Sequence, residues 1–367
     1  MRYYIIAGEA SGDLHGGNLV RGLLAEDPQA DIRAWGGPCM EGAGAQIVRN
    51  YKDTAVMGVS DVIRKAGKLL GNLSFCKKDI LGWKPDVVIL IDYPGFNMKV
   101  AHFCHDNGIK VFYYIAPKTW ASRESRNRKL CRWVDKLFII FPFEMEYFTA
   151  HSVPFIYEGN PLLDAVDTHE YVNPAPGEKY IAVLPGSRKG EISRTMPVAM
   201  RAADLLDCKV IVAGAPSRSE EDYRKYIGGR ENVRLLFGRT YDILKFADAA
   251  VINSGTASLE AALIGTPQVV CWSSSALTYW AAVNVLKVQK HIKYISLGNL
   301  IADSLVFREL IQDDMTSAAV ASEIRRLTSE PGYRQAQLDG YSLIRRKLGG
   351  TGASRAIAAA MIQELNN

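Results

Sequence analysis

The stretch Tyr3-Tyr4-Ile5-Ile6-Ala7-Gly8-Glu9-Ala10-Ser11-Gly12-Asp13-Leu14-His15-Gly16-Gly17 joins an apolar run, a turn of small residues and the start of a helix. An apolar run without alternation is the pattern of a strand buried on both faces, and such strands belong to parallel sheets covered by helices. The unit recurs. Strands are predicted at Ile32–Trp35, Val87–Ile91, Val111–Ile115 and Leu137–Phe141, then at Tyr180–Leu184, Val210–Ala213, Val233–Phe237, Ala249–Asn253 and Gln268–Trp272. They end in Gly, Pro or Ser turns and amphipathic stretches follow. This alternation predicts an α/β chain of two doubly wound, Rossmann-like domains. The break falls at Asp164–Lys179, whose Asp, Thr, His, Asn, Gly and two prolines read as a linker. Residues 1–165 then form an N-terminal domain and 176–348 a C-terminal one. Residues 349–367, after the Gly349-Gly350-Thr351-Gly352 break, form a terminal helix (Ala353–Leu365) that packs back on the first domain. Ligands of such sheets bind beyond the carboxyl ends of the strands, so the domains are expected to face a shared cleft.

Composition narrows the classes. The 367 residues are 48% hydrophobic and 23% charged, which excludes a disordered chain, a collagen and a coiled-coil rod. A formal charge of +5 is too weak to argue for nucleic acid. Cysteines at 39, 76, 104, 131, 208 and 271 form no C-x-x-C pair, which argues against a zinc ribbon or disulfide framework and fits a reducing cytosol. The opening apolar run is too short for a signal peptide, and the others are strand-sized, so no membrane span is expected.

Four strand ends carry chemistry. At Gly8–Gly17, glycines and a helix N-terminus suit an anion, but the pattern is not G-x-G-x-x-G, so a dinucleotide fingerprint is not indicated. Ser11 or Asp13 reads as a helix cap; with Glu9 they also read as a polar cluster facing a ligand. At Ile89-Leu90-Ile91-Asp92-Tyr93-Pro94-Gly95-Phe96-Asn97, Asp92 ends a buried strand, placed either as a general base or as a turn residue. At Leu184-Pro185-Gly186-Ser187-Arg188-Lys189, backbone amides and the Arg188 fork suit a diphosphate, although G-x-x-x-x-G-K-[ST] is absent; the plain reading is an exposed basic turn. At Asn253-Ser254-Gly255-Thr256-Ala257-Ser258-Leu259-Glu260, a small-residue turn enters a helix that can hold phosphate oxygens. Glu260 lies within reach of a ribose diol there, or simply complements the helix dipole.

Two anion-suited turns in one domain and a candidate base in the other suit a nucleotide diphosphate sugar that presents its anomeric carbon to Asp92. No D-x-D occurs, so no metal is expected, and Arg188 with the helix N-termini would meet the diphosphate charge. The His102-Phe103-Cys104-His105 run lacks a second ligand cluster. In Gly58–Leu73, Val59, Val62, Ile63, Ala66, Leu69, Leu70 and Leu73 share a helix face beside Arg64, Lys65 and Lys68. That helix faces a core, or it lies on anionic lipid and meets acyl chains. Lys118–Arg132 carries six basic residues and one acid, read as a phosphate-meeting surface or a solvated helix face.

The motifs Gly8–Asp13, Ala55-Val56-Met57-Gly58, Ile91–Asn97, Leu184–Arg188 and Ser254–Glu260, in this order, make the chain similar to the lipid-A-disaccharide synthases over essentially its whole length. These are inverting glycosyltransferases of the GT-B class. The resemblance implies transfer from UDP-2,3-diacylglucosamine to 2,3-diacylglucosamine 1-phosphate, giving the β-1,6 tetraacyl disaccharide 1-phosphate and UDP. It implies that Asp92 is the base, with Glu9, Ser11 and Asp13 on the acceptor side. It places Ser187, Arg188, Ser254, Gly255, Thr256 and Ala257 at the diphosphate and Glu260 at the uridine ribose. Asn299, in Ser296-Leu297-Gly298-Asn299-Leu300-Ile301, matches a further family Asn on the nucleotide side. The UDP-sugar is a substrate; no cofactor, metal or nucleic acid is implied. A cytoplasmic enzyme held peripherally at the inner membrane by the Gly58–Leu73 helix is implied, with a homodimer left open. The chain departs from the family at Pro117-Lys118-Thr119-Trp120-Ala121-Ser122 (usually Pro-Ser-Val-Trp-Ala-Trp), at Asn160 (usually His), at Gly298 (usually Pro) and at Ala302-Asp303-Ser304-Leu305 (usually Ala-Gly-Arg-Glu). The alternatives are another GT-B enzyme of UDP-GlcNAc, either a peptidoglycan-type transferase or an epimerase, and a non-catalytic UDP-sugar or lipid binder.

Overall fold

The computed structural model describes residues 1–54, 62–120, 124–275 and 293–367. It has two compact units, one of Met1–Ala165 with Gly350–Asn367, the other of Val166–Gly349. The first is built on seven parallel strands, β1 (Arg2–Ala7), β2 (Asp31–Gly36), β3 (Gln46–Asn50), β4 (Val87–Ile91), β5 (Lys110–Tyr114), β6 (Lys136–Ile139) and β7 (Ile156–Tyr157), in the order β3-β2-β1-β4-β5-β6-β7. Tyr3 to Ile6 and Val87 to Ile91 are fully buried, as strands covered on both faces require. Tyr4 is tolerated there because its hydroxyl donates to Asp79 and accepts from the Trp35 indole, while Arg33 grips the same carboxylate with two bonds.

The second unit repeats the plan with β8 (Ile181–Leu184), β9 (Val210–Gly214), β10 (Val233–Phe237), β11 (Ala249–Asn253), β12 (Gln268–Trp272) and β13 (Glu309–Ile311), in the order β10-β9-β8-β11-β12-β13. Val183, Val212, Val251 and Val269 pack in one core with Met196, Met200, Ile324 and Leu327 from the covering helices. In both sheets the order reverses once, between β1 and β4 and between β8 and β11. Crevices open at the carboxyl ends of strands on either side of such a reversal.

The ten predicted strands are all present, most within a residue or two of their predicted ends. The additional strands β3, β7 and β13 are short or polar pieces at or near sheet edges, where only part of each side chain is buried and the apolar signal is weak. The expected linker Asp164–Lys179 starts inside a helix, Pro161–Asp167. Asn160, in place of the usual His, is fully buried; its side chain donates to the Ile140 carbonyl and accepts from the Leu162 amide at that helix's start. The terminal helix Ala353–Asn366 packs on helix Ala10–Glu26. Gly22 permits this, since a Cβ there would lie 2.7 Å from the Ser354 carbonyl oxygen. Asp164 accepts from the Ser354 amide at 2.8 Å and holds the start of the terminal helix.

Of the expected apolar stripe, Ala55–Gly58 and the side chains of Val59, Val62, Ile63 and Ala66 lie outside the described residues, as does Ser122. Within helix Val62–Trp83, Leu69 and Leu73 pack against the core, whereas Leu70 is 61% exposed. The described part of that stripe therefore faces inward except at Leu70. In the basic run, Arg128, Lys129 and Arg132 form the exposed face of helix Arg126–Trp133, and Asn127 and Leu130 its buried face. Among the described residues no helix is long and apolar enough to cross a membrane.

Candidate active site

The first reversal point gathers the Gly8–Asp13 and Asp92 motifs, because β1 and β4 pair directly with Ala7 opposite Ile91. Two consecutive residues after β4, Asp92 (φ 44°) and Tyr93 (φ 47°), lie in the left-handed region. For residues other than glycine such a conformation costs about 1–3 kcal/mol each and persists only where the surroundings impose it. The surroundings do so here. The Asn97 amide donates to the Ile91 and Asp92 carbonyls at 3.2 and 2.9 Å, and the Tyr113 hydroxyl donates to the Asp92 carbonyl at 2.6 Å. The Tyr93 ring stacks on Phe96 and fills the space beside Gly8, where a Cβ would meet it at 2.3 Å. Asp92 is thus held by its backbone at a strained corner and remains partly exposed.

Glu9 and Ser11 lie at the end of β1, with the Ser11 hydroxyl donating to Glu9 at 3.1 Å. The pairing of Ala7 with Ile91 puts Glu9 beside the Asp92-Tyr93 corner, and burial, then the charge of Glu9, pushes the Tyr93 hydroxyl up. Asp13 does not join them. It is 1% exposed, and its carboxylate accepts from the amides of Gly37, Cys39 and Met40 at 2.7, 3.0 and 3.2 Å. In this structure it holds the turn after β2 and the start of helix Pro38–Gly42.

The second reversal point brings the Gly186–Arg188 and Ser254–Glu260 turns together, since β8 and β11 pair with Leu184 opposite Ile252. Gly186 (φ 102°) is wedged between them. A Cβ there would lie 2.5 Å from a Glu191 carboxylate oxygen and 3.1 Å from the Asn253 amide nitrogen. The amides expected to cradle a diphosphate have a partner already. Ser187 and Arg188 donate their N–H groups to Glu191 at 3.0 and 3.1 Å, and the Arg188 guanidinium reaches the same carboxylate at 3.0 Å. This is a capping box at the start of helix Lys189–Leu206. A diphosphate gains the Arg188 charge only in competition with Glu191.

The Ser254 turn is different. Gly255 precedes helix Thr256–Ile264, and among the described residues no side chain caps it. The Ser258 amide donates to the Gly255 carbonyl at 3.4 Å, which leaves the Thr256 and Ala257 amides at the helix start, where an anion is generally favoured. Ser254 donates to the Ile295 carbonyl at 3.3 Å. Asn299 is fully buried four residues on. Its amide donates to the Phe307 carbonyl and Glu309, and its oxygen accepts from the Val306 and Phe307 amides. Asn299 therefore braces the loop behind Ser254 from inside the fold. Gly298 stands beside it because a Cβ would meet the Phe307 ring at 2.7 Å.

Two polar groups went unread in the sequence. Tyr241 donates to Glu260 at 2.9 Å. Glu144, 2% exposed, accepts from the Ile140 and Phe141 amides and from the Trp120 indole at 3.3, 3.1 and 3.3 Å, tying Trp120 to helix Pro142–Ala150. Its position three residues into a helix after Phe141 was the available signal. Burial pushes the Glu144 carboxyl up to about 7 from an ordinary 4.5, against the pull of those donors. The folded chain then binds more protons than the unfolded one between these values. Its stabilising share is full below that window and lost as pH rises through it. Glu144→Gln is expected to remove about 2–3 kcal/mol of that loss between about pH 5 and about pH 8, measured by denaturant unfolding beside the parent. Identical pH dependence in the two proteins would contradict it. The comparison is made against the parent because buried His15, held down at about 4, works in the opposite sense.

Comparisons with known proteins identify the family and the fold. A family model described as lipid-A-disaccharide synthetase matches residues 3–361. A lipid-A-disaccharide synthase of Geobacter metallireducens is 36% identical over 377 residues, covering 99% of this chain and 97% of the relative. One of Syntrophus aciditrophicus is 38% identical over 368 residues, covering 96% and 95%. Among solved structures, a UDP-GlcNAc 2-epimerase from Neisseria meningitidis bound to UDP-GlcNAc superposes with a TM-score of 0.70 at 12% identity, covering 99% of this chain and 100% of that one. A calicheamicin glycosyltransferase gives 0.59 at 14% identity, covering 100% and 98%. At such identities the structural likeness establishes the two-sheet fold and nothing about substrate.

Proposed function

The chain belongs to the lipid-A-disaccharide synthase family, and on that premise we propose that it is an inverting glycosyltransferase that moves 2,3-diacylglucosamine from its UDP derivative to 2,3-diacylglucosamine 1-phosphate. The products are the β-1,6 tetraacyl disaccharide 1-phosphate and UDP. In this reading Asp92 takes the proton from the acceptor's 6-hydroxyl as that oxygen attacks the anomeric carbon from the face opposite the diphosphate. The bond to UDP breaks and its electron pair leaves on the diphosphate. Arg188 and the Thr256 and Ala257 amides at the start of helix Thr256–Ile264 meet that charge. UDP is a good leaving group, so no second carboxyl is required as an acid, unlike glycoside hydrolysis.

The observation that carries the reading is the strained Asp92-Tyr93 corner at a sheet reversal, braced by Asn97, Tyr113 and Gly8. Strain of this kind collects where a side chain must be aimed. Glu9 and Ser11 belong to the acceptor side, and Glu260 to the uridine ribose. Asp13 and Asn299 support their loops from within and are proposed to act only through them. The acyl chains place the work at the inner membrane surface, approached from the cytoplasm, where exposed Leu70 and the Arg128–Arg132 face meet lipid.

The test is UDP release with substrates supplied singly and together. Release is expected only when the UDP-diacylglucosamine and the diacylated acceptor are both present. Conversion of UDP-GlcNAc to an epimer without acceptor would favour the epimerase alternative. Tight UDP binding with no turnover would favour the binding-protein alternative.

A further inference from the structure

Glu260 enters the function through one carboxylate, and Tyr241 holds it. Tyr241 belongs to helix Thr240–Phe246, which follows β10, and its hydroxyl donates to one Glu260 oxygen at 2.9 Å. Among the described residues no other side chain donates to Glu260. We propose that Tyr241 is a positioning residue for nucleotide recognition: its hydroxyl fixes one oxygen of Glu260 and leaves the other aimed at the ribose diol of the UDP-sugar. The inference rests on the reading of Glu260 given above.

Tyr241 is itself built into place. The His169 ring stands edge-on to Tyr241 at 5.3 Å and to Tyr171 at 4.8 Å. His169 is anchored on Asp242 at 3.0 Å, and Arg239 grips the other oxygen of that carboxylate at 2.9 Å. An aromatic wall therefore stops the Tyr241 ring from swinging away from Glu260. One hydroxyl bond to a carboxylate orients it at little entropic loss, because the Tyr side chain has few rotatable bonds.

The pairing has a pH signature. Burial pushes the Glu260 carboxyl up, and the Tyr241 hydroxyl pulls it back towards the ionised form that a diol requires. Helix Thr240–Phe246 carries Tyr241, Asp242 and Lys245; Asp242 is taken up by His169 and Arg239, and Lys245 lies over the Tyr171 ring. Helix Pro331–Leu348 carries Tyr333, Arg334, Asp339, Tyr341, Arg345, Arg346 and Lys347, of which Tyr333 bonds to Glu323, Arg334 to the Asp248 carbonyl, Tyr341 to the Thr266 carbonyl, Arg345 to Asp167 and Lys347 to the Ala302 carbonyl. β12 carries buried Cys271. Among the described residues only Tyr241 bonds to Glu260. Removing its hydroxyl should raise the Glu260 carboxyl further, so the nucleotide site fails at a higher pH.

The experiment measures UDP binding by calorimetry across the acid range for the parent, Y241F and E260A, with 2′-deoxy-UDP as a second probe. In Y241F the pH below which UDP affinity falls is expected to rise by about one unit, a roughly tenfold loss near that limb, with agreement within about threefold at alkaline pH. The depth of the acid-side loss, which the contact with the diol sets, is expected to shrink with 2′-deoxy-UDP, which lacks half of the diol, while the position of the limb stays put. A uniform loss at every pH with no shift of the limb, or an acid-side loss of undiminished depth with the deoxy probe, would overturn the positioning role. If E260A binds UDP as the parent does, the ribose role of Glu260 fails and the proposal falls with it. Where Y241F does not fold, Y241M takes its place, filling the space without a donor; the same upward shift of the limb is expected, and a limb at the parent's pH would overturn the proposal.

Discussion

Asp92→Asn is expected to lower kcat by about 10²–10⁴-fold while UDP affinity stays within about twofold of the parent's. The substitution keeps the side chain's size and the backbone bonds from Asn97 and Tyr113, so the strained corner should survive. What it removes is a group able to accept the proton that the acceptor hydroxyl must lose. An uncharged amide cannot hold that proton, so the loss falls on the chemical step and not on nucleotide binding. Measured separately, steady-state turnover and calorimetric UDP binding should part company. A variant that keeps most of its kcat would show that Asp92 is not the base. The corner would then be a purely structural turn, and the polar pair Glu9 and Ser11 would be the next place to look.

Arg188→Ala is expected to act on the other side of the reaction. Charge-assisted bonds contribute about 1.5–3 kcal/mol, so UDP binding should weaken by about 10–100-fold. The loss in kcat/KM should be larger, about 10²–10³-fold, because the diphosphate gains charge as the bond breaks. Arg188 is 68% exposed on its side chain and is paired with Glu191. Part of its interaction with a diphosphate must replace that ion pair, which keeps the expected binding loss modest. Arg188→Lys should recover charge but not the planar fork, and so fall between the two. Unchanged UDP affinity in the alanine variant would remove Arg188 from the nucleotide site.

The placement of the motifs at strand ends was legible because buried parallel strands run into short turns of Gly, Pro and Ser. β4, β10, β11 and β12 fall at their predicted bounds, since uninterrupted Val and Ile runs leave little choice of element. The strand order itself shows that all four motifs sit at two reversals, which no local pattern contains. Roles inside the motifs were less legible. Asp13 and Glu9 are both acids near one helix start, yet one is buried under three amides and the other borders Tyr93. Their difference is set by the position of residues 37–40, which comes from packing. Asn299 likewise bonds to residues 306–309, and its motif is silent about that loop. The left-handed Asp92-Tyr93 pair had no glycine to announce it. Its bracing comes from Tyr113 on the neighbouring strand and from Gly8 in the turn after β1. Tyr241 went unread for the same reason, since it meets Glu260 only after two elements have folded side by side.

The most direct test is the identity of the product made from the two diacylated sugars. Mass spectrometry and proton NMR should find one tetraacyl disaccharide monophosphate with a β-1,6 linkage, formed from an α-linked donor, in equal amount to the UDP released. An α-linked disaccharide, a free hydrolysed sugar or an unchanged acceptor beside an epimerised UDP-sugar would contradict the account.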